Sequence, residues 1–314
     1  MSSFEIGGYL ELECGRSPLY HARAIMLNSA RNALRYILRA NNIKKINTPY
    51  YTCPVVWQIL NEEGCDFKLY NINEELMPKV SFESREFILY NNYFGVCAKN
   101  VEILLKKYPH LIVDNAQSFF SKPGGFASFY SPRKFFGLPD GGLAFSKKKI
   151  KVDFDLDESY GRCMHLLKRW DIGATKGYED FKKNDEYLIG KPIMTMSRLT
   201  RALMGNIDYQ KSIETRRKNF SFLHKSLKNI NELKFDILEI EVPMVYPFLI
   251  KKTGLRDNLI NNEIYIASYW SGIEAYNNNT YEKYLRDHLL PLPIDQRYDI
   301  KDMKKILKVI MSIL

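Results

Sequence analysis

The sequence has few cysteines and none in a pairing pattern: five in 314 residues, at Cys14, Cys53, Cys65, Cys97 and Cys163, with no CxxC. An odd, scattered set argues against a disulfide framework and against a cysteine-rich zinc site, and it fits a reducing compartment. The N-terminus lacks the basic start and apolar run of a signal peptide and carries Glu5, Glu11 and Glu13 there. No apolar stretch approaches the ~20 residues of a membrane span. Internal repeats and low-complexity linkers are also missing. A cytoplasmic protein without membrane contact is expected.

What is present is ordinary in bulk. The length of 314 residues suits one large or two ordinary domains with a real core, and 46% hydrophobic residues is usual for a globular chain. The formal charge of +10 favours an anionic partner without choosing among a nucleotide, a phosphate and a nucleic acid. The basic run at 147–151 has no interleaved aromatics and reads as a solvated turn, so nucleic-acid binding rests on net charge alone.

One stretch organises the rest: Leu111-Ile-Val-Asp-Asn-Ala-Gln117, then Phe129-Tyr-Ser-Pro-Arg-Lys134, then Asp140-Gly-Gly142. Leu111 to Asp114 reads as a buried strand ending on an acid, and Ala127 to Ser131 as a second strand stopped by Pro132. If both run the same way in one sheet, Asp114 and Lys134 emerge at the same carboxyl edge, where open α/β sheets bind ligands. An amine, an acid and a serine three residues before the amine suit pyridoxal phosphate. That cofactor needs a lysine for its aldehyde, an acid for its ring nitrogen and donors for its phosphate.

Upstream, Ala30, Ala33, Leu34, Ile37 and Leu38 repeat at helical spacing, with Asn28 or Ser29 at the N-cap. The positive end of such a helix can cradle a phosphate, although a plain cap explains the same residues. Pro54 opens a second helix, capped by Thr52 or Cys53. Strands are expected near 67–72, 87–90 and 142–146 and a helix over 99–107, so strand and helix alternate as in a largely parallel sheet. Residues 150–190 are polar, Tyr-rich and give no clear period; they read as a substrate loop or as surface.

These motifs resemble the DegT/DnrJ/StrS family of sugar aminotransferases, which have the type I fold of pyridoxal-phosphate enzymes. Asp114-Asn-Ala-Gln117 is similar to the family's D-x-A-Q, and Lys134 before Asp140-Gly-Gly142 to its Schiff-base lysine before an acidic-Gly-Gly turn. The likeness runs from about Leu27 to the C-terminus. It implies that Lys134 bonds to the cofactor, Asp114 holds the ring nitrogen and Gln117 sits near the ring's phenolic oxygen. It further implies that Ser29, Ala30 and Ser131 bind the phosphate. Cys53 stands where relatives stack an aromatic on the ring, with Tyr51 as an alternative. Three departures mark a divergent, shortened member: Asn28 replaces a glycine, Asn92 replaces a histidine, and Pro192-Ile-Met-Thr195 replaces an asparagine that reaches the partner subunit's phosphate.

The resemblance implies an α/β fold with a three-layer, mostly parallel sheet in a large domain and a smaller C-terminal α/β domain. The divisions expected are 1–195 for the cofactor domain, 196–232 for a long connecting helix and 233–314 for the small domain. Within the last, 245–250 and 265–270 read as strands, 256–262 as a helix, and Asp299 as the cap of a terminal helix. The activity implied is transfer of an amino group from an amino-acid donor, glutamate in the family, to a keto sugar, nucleotide-linked in most relatives. Those enzymes serve amino-sugar and surface-polysaccharide synthesis. A homodimer is implied as well. Lys134 argues against the family's dehydratases, which carry histidine at that place. A non-sugar keto substrate, or a non-enzymatic cofactor-binding scaffold, remains an alternative.

Overall fold

The computed structural model describes residues 6–15, 17–270 and 280–314. Residues 1–26 carry no readable chemistry and are expected to form an arm or a first helix; 1–5 and 16 lie outside the described residues. In chain order the elements are β1 (Ile25–Leu27), α1 (Ala30–Asn41), β2 (Lys45–Pro49), α2 (Pro54–Glu62), β3 (Asp66–Tyr70), β4 (Ile88–Asn91) and α3 (Ala98–Lys107). Then come β5 (Leu111–Asp114), β6 (Ala127–Tyr130), β7 (Gly142–Ser146), α4 (Met164–Ile172), α5 (Ala174–Tyr187), α6 (Arg198–Met204) and α7 (Tyr209–Leu227). The C-terminal part holds β8 (Val245–Leu249), α8 (Leu255–Asn261), α9 (Tyr281–His288), β9 (Leu289–Pro293) and α10 (Ile300–Met311).

Seven strands form one sheet in the order β1-β7-β6-β5-β4-β2-β3. The centre is parallel, β2 with β3 and β4, β4 with β5, and β5 with β6, while β7 runs antiparallel to both β6 and β1. The central strands are buried along their length and read as apolar runs, as strands covered on both faces do. Helix α1 turns Ala33, Leu34, Ile37 and Leu38 into the core and packs on β6 and β7. A mostly parallel α/β sheet is the architecture expected from the alternating elements. A second, two-stranded antiparallel sheet of β8 and β9 packs with α7 to α10. Asp299 caps α10 in a capping box closed by Asp302.

Three local expectations are corrected. The helix placed over 196–232 is two helices, α6 and α7, parted at Gly205, whose backbone meets Gly15 so closely that a side chain on Gly205 would have no room. The strand placed at 265–270 does not form. Its aromatic side chains pack on neighbours instead: Tyr269 stacks on Phe94, and Trp270 meets Tyr51 edge-on. The segment 150–190 is not a loop throughout but holds the helical hairpin of α4 and α5. Apart from Gly177 and Asn184, the α5 side chains are at least partly exposed, so it shows no apolar stripe to read.

Candidate active site

Strands β5 and β6 lie side by side and parallel, with Asp114 opposite Phe129. Their carboxyl ends therefore open on one edge. After β6 the chain makes a single 3₁₀ turn, Pro132–Lys134, closed by the Lys134 amide to the Ser131 carbonyl at 3.1 Å. Proline suits the first position of such a turn because its φ is already helical. The turn is anchored behind by Phe135 and Phe136, both buried against Phe119. Arg216 of α7 lies over the Phe135 ring at 4.6 Å and donates to its carbonyl at 3.3 Å. Ser131 and Lys134 are thus presented by a braced loop.

The edge holds a cavity of about 310 Å³. Ser29, Ala30, Cys53, Asp114, Ser131 and Lys134 all line it. Leu34, Val55, Val56 and Ile59 supply an apolar wall, and Ala116 and Phe129 lie beside Asp114 in the lining. Six of the seven residues singled out in the sequence meet there. Gln117 does not: its Oε1 accepts from the Phe94 amide at 2.9 Å, and its Nε2 is buried with no protein acceptor among the described residues. Asn92 is likewise outside the lining, and its amide donates to Asn115 at 2.9 Å and Ser121 at 3.2 Å.

Asp114 is 9% exposed. Its Oδ1 accepts from the Ala116 amide at 2.7 Å, and Oδ2 has no protein donor among the described residues. Burial pushes its pKa up to about 6, against the opposing pull of Lys134 and the Ala116 amide. A buried carboxyl held in this way is short of one cationic or N–H partner.

The start of α1 also lines the cavity. Ser29 caps it, its Oγ accepting from the Asn32 amide at 3.1 Å. The residue at 28 explains its own departure from glycine. Asn28 is fully buried; its Oδ1 accepts from Asn32 at 2.8 Å and its amide donates to the Pro192 carbonyl at 3.3 Å, so it binds the 192–194 segment to the helix start. The Asp140-Gly-Gly142 turn closes the same corner. Asp140 accepts from the Ser197 amide and hydroxyl, both at 3.0 Å, and from the Thr200 hydroxyl. Gly141 has φ +121°, and a Cβ on Gly142 would stand 2.1 Å from the Ser29 carbonyl carbon. Glycine is needed where β7 passes the helix start.

Four other lining residues are Arg31, Arg133, Phe181 and Asp185; of these the sequence points only to Arg133, as a nearby cation able to activate the Lys134 amine. Arg31 and Arg133 meet across Asp185 of α5, each at 3.3 Å from one of its oxygens, and Phe181 of α5 also lines the cavity. Arg31 and Arg133 stand next to residues that were singled out. Asp185 and Phe181 come from a segment without a readable period.

The donor set fits pyridoxal phosphate on the observations above. An under-partnered buried acid, a lysine, a capped helix start and a serine hydroxyl surround a void with an apolar wall. Among the described residues, three or more possible metal-binding side chains gather nowhere, and no helix is long and apolar enough to cross a membrane.

No family model matches the sequence, and no curated protein matches it. Solved structures do. A DegT DnrJ EryC1 StrS aminotransferase from Brucella abortus superposes with a TM-score of 0.60 at 14% identity, over 92% of this chain and 85% of that one. Helicobacter pylori PseC, an aminotransferase involved in the biosynthesis of pseudoaminic acid, gives 0.60 at 14%, over 92% and 86%. E. coli GDP-4-keto-6-deoxy-D-mannose-3-dehydratase with bound hydrated PLP gives 0.61 at 16%, over 91% and 87%. The chain has the fold of this group of aminotransferases and dehydratases across nearly its whole length.

Proposed function

We propose that this protein is a pyridoxal-phosphate-dependent aminotransferase that moves an amino group from an amino acid, glutamate by resemblance, to a keto sugar carried on a nucleotide. The observation that carries the reading is the convergence of Lys134 and Asp114 on one cavity from two adjacent parallel strands. Solved structures of the same fold support the sugar part, since they include aminotransferases and a dehydratase of a nucleotide sugar. The basic charge suits such an anionic substrate.

Bound in the cavity, pyridoxal phosphate supplies an electron sink that lets an amino group leave the donor and join the acceptor. The residues do the rest. Lys134 would be the amine that carries the cofactor, and it would hold and return the proton moved between carbon atoms. Asp114, through its free Oδ2, keeps a proton on the ring nitrogen. The start of α1 at Ser29 and Ala30 and the hydroxyl of Ser131 hold the phosphate. Cys53, in the cavity lining, would offer the ring a small apolar contact. Lys134, rather than histidine, favours transamination over dehydration. The residues past 195 serve as the connecting and small domains, and the active form is a dimer.

The apoprotein should turn yellow with pyridoxal phosphate, and an amino donor should discharge the colour. Borohydride followed by mass spectrometry should find the cofactor's mass on Lys134. Lys134→Ala should bind the cofactor reversibly and lose transamination. Full activity in that variant, or a protein that never takes up colour, refutes the proposal. The second outcome would favour a scaffold on the same fold. A panel of keto-sugar nucleotides offered to the amine-loaded enzyme identifies the acceptor.

A further inference from the structure

Two buried arginines show how this chain satisfies a guanidinium. Arg216, 1% exposed, donates to Gln296 and to the carbonyls of Pro243, Met244 and Phe135. Arg35, 7% exposed, donates to Asn32, the Lys191 carbonyl and Glu62 and forms an ion pair with Glu63, although its Nε has no well-aligned acceptor. Arg133 has fewer partners. Its side chain is 13% exposed, yet its one polar contact among the described residues is Nη1 to Asp185 at 3.3 Å, and its Nε is buried with no acceptor. Arg31 likewise reaches one oxygen of the same carboxylate at 3.3 Å. A largely buried guanidinium with one long contact and an unpaired Nε–H is well completed by an anion.

Both arginines line the cavity, beside Lys134, Ser131 and the start of α1. Three cationic side chains there face Asp185 and Asp114. Burial of Asp114 already disfavours its ionised form. The balance left over is positive, and a planar guanidinium fork matches the oxygens of a phosphoryl group.

We infer that Arg31 and Arg133 are the charge partners of a phosphoryl dianion in this cavity, with Asp185 holding the two like charges side by side. This rests on the cofactor reading above, under which the dianion is the phosphate of pyridoxal phosphate. It gives the α4–α5 hairpin a part in the site through Asp185.

The test titrates the apoprotein with pyridoxal phosphate and with unphosphorylated pyridoxal, following the visible band of each. The wild type should prefer the phosphate ester, and inorganic phosphate should compete with the ester. Arg133→Gln and Arg31→Gln should each weaken the ester roughly tenfold to a hundredfold, the range for a charged hydrogen bond, and leave pyridoxal unchanged. Arg133→Lys keeps the charge without the fork and should fall between. Pyridoxal binding doubles as the control for folding. Unchanged ester affinity in the Gln variants, or equal losses for both ligands, overturns the inference. A wild type that binds both aldehydes equally overturns it alone, whereas one that binds neither overturns the cofactor reading as well.

Discussion

Asp114→Asn should stabilise the cofactor-free protein at neutral pH. The carboxyl is buried, one oxygen is satisfied by the Ala116 amide, and burial raises its pKa from 3.8 to about 6. The unfolded chain keeps the ordinary value. Below about pH 4 the group is protonated in both states and contributes nothing. Between about pH 4 and 6 the folded chain holds a proton that the unfolded chain has released, so stability falls as pH rises. Above about pH 6 the full cost is present, on the order of 3 kcal/mol at ~1.4 kcal/mol per pH unit. Asparagine keeps the acceptor for the Ala116 amide and removes the charge. An unfolding entropy of ~2.1 cal/mol/K per residue converts this into a Tm gain of roughly 4 °C for a chain of this length. The assay is thermal unfolding of apo wild type and variant from pH 4 to 8. The gap should be widest above pH 6 and close towards pH 4. Pyridoxal phosphate should narrow it, because a protonated ring nitrogen against Oδ2 favours the ionised form. A variant no more stable than wild type at pH 7.5, or a gap that does not shrink with acid, refutes the reasoning. Transamination by the same variant should fall by orders of magnitude.

Two further substitutions probe the frame of the site. Arg216→Ala strips partners from Gln296 and from the carbonyls of Pro243, Met244 and Phe135, and should cost about 2–3 kcal/mol in a urea melt; a loss under ~1 kcal/mol would show that these acceptors find other donors. Gly142→Ala places a Cβ 2.1 Å from backbone at Ser29, so β7 or the start of α1 must move. Its affinity for pyridoxal phosphate should drop at least tenfold, and wild-type affinity would show that Ser29 is not part of the phosphate site.

The legible part of this protein is local. Asp114 ends one apolar run and Lys134 follows the next within a few residues, so parallel pairing of two neighbouring strands was enough to bring them to one edge. The α1 cap was readable because Ser29 stands directly before the apolar period of its helix. The strand misplaced at 265–270 failed because a short run with aromatic residues names no ladder partner, and here Tyr269 and Trp270 are absorbed by Phe94 and Tyr51. Gln117 is three residues from Asp114, yet the turn after β5 sends it to the Phe94 amide and away from the cavity.

The sequence by itself determined the alternation of strands and helices, the carboxyl-edge placement of the amine and the acid, and the short turn that Pro132 begins. Each of these follows from side-chain period and backbone restriction over a few residues. Only the tertiary structure decided that Asp185, 52 positions past Arg133, bridges it to Arg31. A polar helix with no apolar stripe carries no signal of what it will face. Its charged side chains acquire partners only when distant parts of the chain have packed, and that placement is where the electrostatics of the cavity are set.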